Sequence, residues 1–261
     1  MITSTSNSQI KNLVLLGTKS KERKAQGLFL VEGIKMFLEA PKERIVQIYV
    51  SNTFYKHTEY QKEIEEKGNV QVVDDSIFHK ISNTITPQGI LCVMRQWKDG
   101  METWDRVTDG IFLVLEGVQD PGNLGTIFRT GEGAGVKGII MDHHTADVYN
   151  PKVIRSTMGS IFRIPFVKTD CLERTIKDLK KGEGAVYASC IKGGKNYTKV
   201  TYKKKSIFLI GNEGRGLTKE IIALANERVF IPMCGQVESL NAAVSASLLI
   251  YEAYRQKDLH L

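Results

Sequence analysis

The sequence predicts an α/β protein, a doubly wound and mostly parallel sheet preceded by a smaller α/β domain. Three observations predict it. After residue 110 the apolar runs IFLVLEGV, GIIM, AVYAS, SIFLIG and RVFIPM recur with helical stretches between most of them, and alternating strand and helix builds a parallel sheet. The first of these runs is apolar without a break, as in a strand buried on both faces. Glycine-bearing polar loops follow three of the strands, and in an open α/β sheet ligands sit beyond the strands' carboxyl ends.

The N-terminal part reads as its own unit. Ser8–Leu16 is helical, a polar basic loop follows, and FLVEG (Phe29–Gly33) is a strand. Gly33–Ala40 is a helix, Ile45–Ser51 a strand, Tyr55–Lys67 a charged helix and Val70–Val73 a short strand. Asp74-Asp75-Ser76 caps a helix reaching Ile81, and Pro87-Gln88-Gly89 turns into the strand Ile90–Met94. Residues 1–98 thus form one domain. Gln96–Gly110, charged and without apolar periodicity, supplies a linker at 99–110. The second domain spans 111–261. There Gly138–Met141, Ala185–Ser189, Ser206–Gly211 and Arg228–Met233 continue the sheet.

Composition narrows the function. The chain has 261 residues, 42% apolar and 25% charged, enough for a substantial core. No run is long and apolar enough to span a membrane, and the first residues lack a signal-peptide layout. Four scattered cysteines without a CxxC pair argue for reduced thiols in the cytoplasm, and no metal motif stands beside the five histidines. His143-His144 reads as a surface doublet. The net charge of +7 is compatible with a polyanion partner. Its placement says more, because Lys11, Lys19, Lys21, Arg23 and Lys24 face only Glu22 in the first 24 residues. That arm is expected to touch nucleic acid, whereas Lys203-Lys204-Lys205 reads as a solvated face.

Three loops carry the chemistry. In the first, LEGVQDPGNLGTIFRTGEGAG (Leu115–Gly135), Asp120-Pro121-Gly122-Asn123 is turn chemistry. A helix then runs from about Leu124, so that Asn123 and Arg129 can meet a ligand at one loop end. The same stretch contains a GxGxxG spacing at Gly133, Gly135 and Gly138. It ends a helix and precedes a strand, the reverse of a dinucleotide fingerprint, so a nucleotide-binding oxidoreductase is excluded. In the second loop, LIGNEGRGL (Leu209–Leu217), the glycines allow a tight bend from which Glu213 and Arg215 project. A phosphate loop would end in Gly-Lys-Ser/Thr, which is missing. In the third, IPMCGQVESLNAAVSAS, Ser239 or Asn241 suits a helix N-cap, and the small residues from Ala242 onward let another backbone press close. Together the loops can cradle a small molecule with backbone groups.

NLGTIFR, GNEGRGL and IPMCGQVESLNAAVSAS, in this order and at these strand ends, closely resemble the three motifs of the SpoU/TrmH class of SPOUT RNA methyltransferases. The resemblance covers Ile111 to about Gln256. The N-terminal half resembles the L30e-like RNA-binding domain fused to many members, through the basic arm, FLVEG and TPQGI. The resemblance implies a deep C-terminal trefoil knot, which the small residues of the last helix would let pack. It implies S-adenosylmethionine as methyl donor, no metal, and a homodimer through the knotted domain in which both subunits build each site. Carried over, the donor contacts fall on Gly211, Ile231 and Leu240, with Leu209, Met233 and Ser239 nearby.

The implied reaction is methyl transfer to a ribose 2′-hydroxyl. Arg129 matches the class's catalytic arginine. A guanidinium stays protonated, so the expected role is to pin a substrate phosphate and stabilise the developing alkoxide. Asn123, Glu213, Ser239 and Asn241 are expected to orient it or the ribose. Arg155, with Lys21, Arg23 and Lys24, is expected to face RNA, and Glu32 is expected to be structural. The separate N-terminal domain favours 23S rRNA over tRNA as substrate. A non-catalytic RNA-binding knotted dimer is disfavoured because Arg129, Asn241 and the glycine bend are all present.

Overall fold

A computed structural model describes residues 1–97 and 107–258. Most of the expected linker, 99–106, therefore lies outside the described residues. The chain divides into two compact units: Met1–Lys98 with Asp147–Phe162, and Asp99–Ala146 with Arg163–Leu261.

The first unit carries a mixed four-stranded sheet of β1 (Leu28–Glu32), β2 (Ile45–Ser51), β3 (Val70–Val73) and β4 (Ile90–Arg95), in the order β1-β4-β2-β3. Only β2 and β3 run parallel. Its core gathers Ile10, Leu13 and Leu16 from α1 (Ser8–Thr18), with Leu30, Tyr49, Leu91 and Val93 from the strands. The expected basic loop is instead a helix, α2 (Ser20–Gln26). Its residues are mostly good helix formers, and Gly27, at φ 63°, ends it in the left-handed conformation. After α3 (Ile34–Glu39), the charged segment expected as one helix splits into α4 (Asn52–His57) and α5 (Gln61–Lys67). The Ser51 side chain caps α4 early, and extended Thr58 separates the two helices, its Oγ1 accepting from the Tyr60 N–H. Asp74 caps α6 (Asp75–Ile81) as expected, Oδ1 accepting from the Ser76 N–H at 3.0 Å. Glu32 is structural: it accepts from the Ser82 hydroxyl, the Asn83 N–H and the Thr84 hydroxyl, and so fixes that turn.

Arg23 corrects one expectation. Its side chain is buried, donating from Nε and Nη2 to Asp147 Oδ2 (2.9 and 2.6 Å) and from Nη1 to the Leu16 carbonyl (2.7 Å). Three of its five N–H groups are engaged, and burial keeps the other two from solvent and from a phosphate. With Tyr149, whose ring lies 4.8 Å from that of Phe29, it ties the Asp147–Phe162 segment, including α8 (Pro151–Thr157), into the first unit. Lys21 and Lys24 are exposed. Arg155 is also exposed, and its Nη1 donates to the Asn83 carbonyl at 3.1 Å.

The second unit is a seven-stranded parallel sheet. Its strands are β5 (Gly110–Leu115), β6 (Gly138–Met141), β7 (Phe166–Lys168), β8 (Ala185–Ser189), β9 (Lys195–Asn196), β10 (Lys205–Ile210) and β11 (Glu227–Phe230). β7 and β9 were not expected, being too short for a periodic signal. The order is β7-β6-β5-β10-β8-β11-β9. Phe112, Val114, Ile207 and Leu209 join Leu172, Ile176 and Leu179 of α9 (Leu172–Leu179) in one core. Strand residues alternate faces, and α11 (Ala242–Asp258) packs on β5, β10 and α7 (Pro121–Gly133). Among the described residues no helix is long and apolar enough to cross a membrane.

Candidate active site

From β5 the chain builds outward to β6 and β7, and the later strands lie on the other side of β5, beginning with β10. Such a reversal leaves a crevice at the carboxyl ends of its two central strands. Two of the expected loops begin there, after Leu115 and Ile210, and the third follows β11.

The loop after β10 is built by its own sequence. Gly211 has no room for a side chain, because a Cβ would lie 2.3 Å from the Gly216 carbonyl carbon and the Leu217 nitrogen. Asn212 and Gly216 exchange backbone hydrogen bonds of 3.1 and 2.9 Å. Asn212 Oδ1 accepts from the Gly214 and Arg215 N–H groups at 3.0 Å, while its Nδ2 donates to the Gly117 carbonyl at 2.7 Å. Glu116, at the end of β5, accepts from the Thr218 N–H and hydroxyl at 2.8 and 2.7 Å. Neither Asn212 nor Glu116 is among the site residues that the motifs single out. An asparagine between glycines is a turn residue that bonds its own backbone, and that signal was available.

Glu213 joins this loop to the other two. Its carboxylate accepts from the Gln119 and Asp120 N–H groups (both 3.2 Å) and from Asn123 Nδ2 (2.9 Å). Asn123 Oδ1 accepts from Asn241 Nδ2 at 2.8 Å, and Asn241 Oδ1 caps α11 through the Ala243 and Val244 N–H groups. Partial burial raises the Glu213 pKa, but the donors from Asn123, Gln119 and Asp120 outweigh it and leave the carboxyl below its ordinary 4.5. Glu213 is thus ionised at neutral pH, an acceptor that orders its neighbours. Asp120 Oδ1 caps α7 through the Asn123 N–H at 2.8 Å, so that helix starts at Pro121, three residues before the expected Leu124. Small residues of α7 and α11 take part in the contact between them. Ser247 Oγ lies 3.2 Å from Thr130 Oγ1, and a Cβ on Gly133 would meet the Tyr251 hydroxyl at 2.9 Å.

Beside this network lies a cleft of about 690 Å³, measured out to open solvent. Ser189 at the end of β8 with Cys190, Gly211 to Gly214 after β10, Ile231 and Met233 after β11, and Ser239 and Leu240 before α11 line it. Five of the six expected donor contacts thus fall on one cleft. Leu209 does not line it; its side chain is buried in the core with Ile207 and Ile176. Among the described residues, 232–240 make no hydrogen bond of backbone or side chain. Uncommitted backbone donors and acceptors beside apolar Ile231, Met233 and Leu240 suit a ligand read by main-chain groups. Of the residues expected to be catalytic, the structure joins Asn123, Glu213 and Asn241, places Ser239 on the cleft, and leaves Arg129 outside the network. Arg129 is exposed and has no hydrogen bond or ion pair among the described residues.

Residues 110–251 match the SpoU rRNA Methylase family, and residues 7–92 match the MRM3-like substrate binding domain. The chain belongs to the SpoU family. Its members are RNA ribose 2′-O-methyltransferases that depend on S-adenosylmethionine, and this chain is one of them. Among SpoU relatives, it is 32% identical to the 23S rRNA (guanosine(2553)-2′-O)-methyltransferase RlmP of Bacillus subtilis, over 96% of this chain and 97% of that one. An AdoMet-bound rRNA methyltransferase from Sinorhizobium meliloti superimposes with a TM-score of 0.86 at 27% identity, over 97% of each chain. An RNA 2′-O ribose methyltransferase gives 0.83 at 28% identity, over 98% of each.

Proposed function

We propose that this SpoU enzyme methylates a ribose 2′-hydroxyl of 23S rRNA in the cytoplasm, with S-adenosylmethionine held in the cleft between Gly211, Ile231, Met233, Ser239 and Leu240. The observation that carries the reading is the pairing of that cleft, whose second wall is uncommitted backbone, with an exposed Arg129 that has no hydrogen bond or ion pair among the described residues. The donor supplies an electrophilic methyl group. The chain's own residues bind and orient, while the hydroxyl proton leaves to solvent as the oxygen takes the methyl group: the Glu213–Asn123–Asn241 line fixes the loops, and Arg129 offers a planar pair of donors to a phosphate and to the oxygen that gains charge.

Helix geometry adds a reason for a homodimer. Arg129 lies six residues after Asn123, about 120° from it around α7, so it projects from a different side of the helix than the residue that joins the network. It would then serve the cleft of a second copy. Val244 and Tyr251, exposed two turns apart on α11, would lie under that copy, and the knot expected from the family resemblance would be its core. The MRM3-like domain, with Lys21 and Lys24 exposed, favours a ribosomal RNA over tRNA, and the likeness to the B. subtilis 23S rRNA enzyme points the same way.

The test is ribose-methyl mapping by resistance to alkaline cleavage. Unmodified 23S rRNA, 16S rRNA and tRNA are incubated with the protein, with and without S-adenosylmethionine. One new donor-dependent protected site in 23S rRNA is expected; a site in tRNA alone would overturn the substrate. Arg129→Ala should lower kcat by about 10²–10³, the usual cost of losing one oxyanion donor. Near-normal rates for Arg129→Lys would contradict a two-pronged role.

A further inference from the structure

The loop after β10 holds a second arginine, Arg215, in a different situation from its neighbours. Asn212, Glu213, Gly214 and Gly216 line the cleft, whereas Arg215, between them, does not. Its main-chain N–H is fixed by Asn212 Oδ1 at 3.0 Å, and the loop is closed on both sides of it by the Asn212–Gly216 pair. Its guanidinium is exposed and has no hydrogen bond, ion pair or ring contact among the described residues. The backbone is therefore held rigidly while the charged end is left free.

Gly214 adds an independent observation. Its φ is not positive, and a Cβ there would meet only Asn212 Oδ1, at 3.6 Å, an ordinary contact. Among the described residues, neither conformation nor packing requires a glycine at this position, unlike Gly211. The bare edge beside Arg215 leaves space for something outside the chain to approach the main chain closely.

We infer that Arg215 binds a phosphate of the substrate RNA next to the methylated nucleotide, with the bare Gly214 edge admitting the RNA backbone. The inference rests on the proposed function for the nature of the substrate, and it adds an RNA contact in the loop that lines the donor cleft. A rigid carrier lowers the entropy lost when the guanidinium engages its phosphate, and because Arg215 is not among the residues that line the cleft, its loss should spare the donor.

The test compares wild type with Arg215→Ala, Arg215→Lys and Arg215→Glu. It measures binding to a 23S rRNA transcript over a salt series, KM for that RNA, S-adenosylmethionine affinity and Tm. The expected result is an RNA affinity lowered roughly tenfold in the alanine variant, less in the lysine variant and more in the glutamate variant. The salt slope should fall by about one, with donor affinity and Tm unchanged. Unchanged RNA affinity and slope would overturn the inference. So would a loss of donor affinity alone, which would make Arg215 a donor contact, or a lowered Tm across all three variants, which would make it structural. If wild type binds the transcript but methylates nothing, the functional reading fails while the salt slope still decides the Arg215 contact.

Discussion

Two walls of one cleft are built in opposite ways. The wall after β10 is tied by its own hydrogen bonds: Asn212 to Gly117, Gly214, Arg215 and Gly216, Glu213 to the α7 entrance, and Thr218 to Glu116. The wall at residues 232–240 has no such bond among the described residues, yet Met233, Ser239 and Leu240 line the same space. A site that recognises a ligand through main-chain groups needs both. One wall must stand without the ligand to set the geometry, and the other must keep its donors and acceptors uncommitted.

The contrast breaks most readily at Gly211. Gly211→Ala pushes a methyl group into backbone 2.3 Å away, which cannot yield as a side chain tip would. Denaturant unfolding should show a loss of at least about 2 kcal/mol, and donor binding should be lost with it. Next comes Glu213→Ala, which strips the acceptor from three donors at a largely exposed site and should cost about 0.5–1.5 kcal/mol. The same carboxylate sets a pH dependence. Its folded pKa is depressed, so the stabilisation is fully present above its ordinary 4.5 and is lost as pH falls through the lower folded value. Wild-type stability should therefore fall in acid more steeply than that of Glu213→Ala, with no difference between their slopes near neutrality. Asn241→Ala removes the cap of α11 and should cost about 1 kcal/mol. Val237→Ala, on the exposed untied wall, should stay within about 0.5 kcal/mol.

The features legible in the sequence were those fixed by local chemistry. Apolar runs gave β2, β3, β6 and β8 with their observed bounds, and Asp74 and Asn241 cap the helices expected of them. The three loops could be placed because glycine and asparagine between a strand and a helix mean a turn at a strand end. What stayed hidden depends on partners far along the chain. Arg23 sits in a basic run, and nothing nearby in sequence announces Asp147, more than a hundred residues away, as its partner. The same distance hid the membership of Asp147–Phe162 in the first unit. Leu209 belongs to β10, two residues before Gly211, and strand alternation sends its side chain into the core with Ile207.

Amide hydrogen exchange read at both walls, with and without S-adenosylmethionine, tests the account most directly. Without donor, the amides of Asn212, Gly214, Arg215, Gly216 and Thr218 should already be protected, and those of 233–240 should exchange freely. Adding donor should slow exchange in 233–240 and change the first group little. Protection that appears at neither wall in a protein that still methylates RNA would contradict the placement of the donor in this cleft.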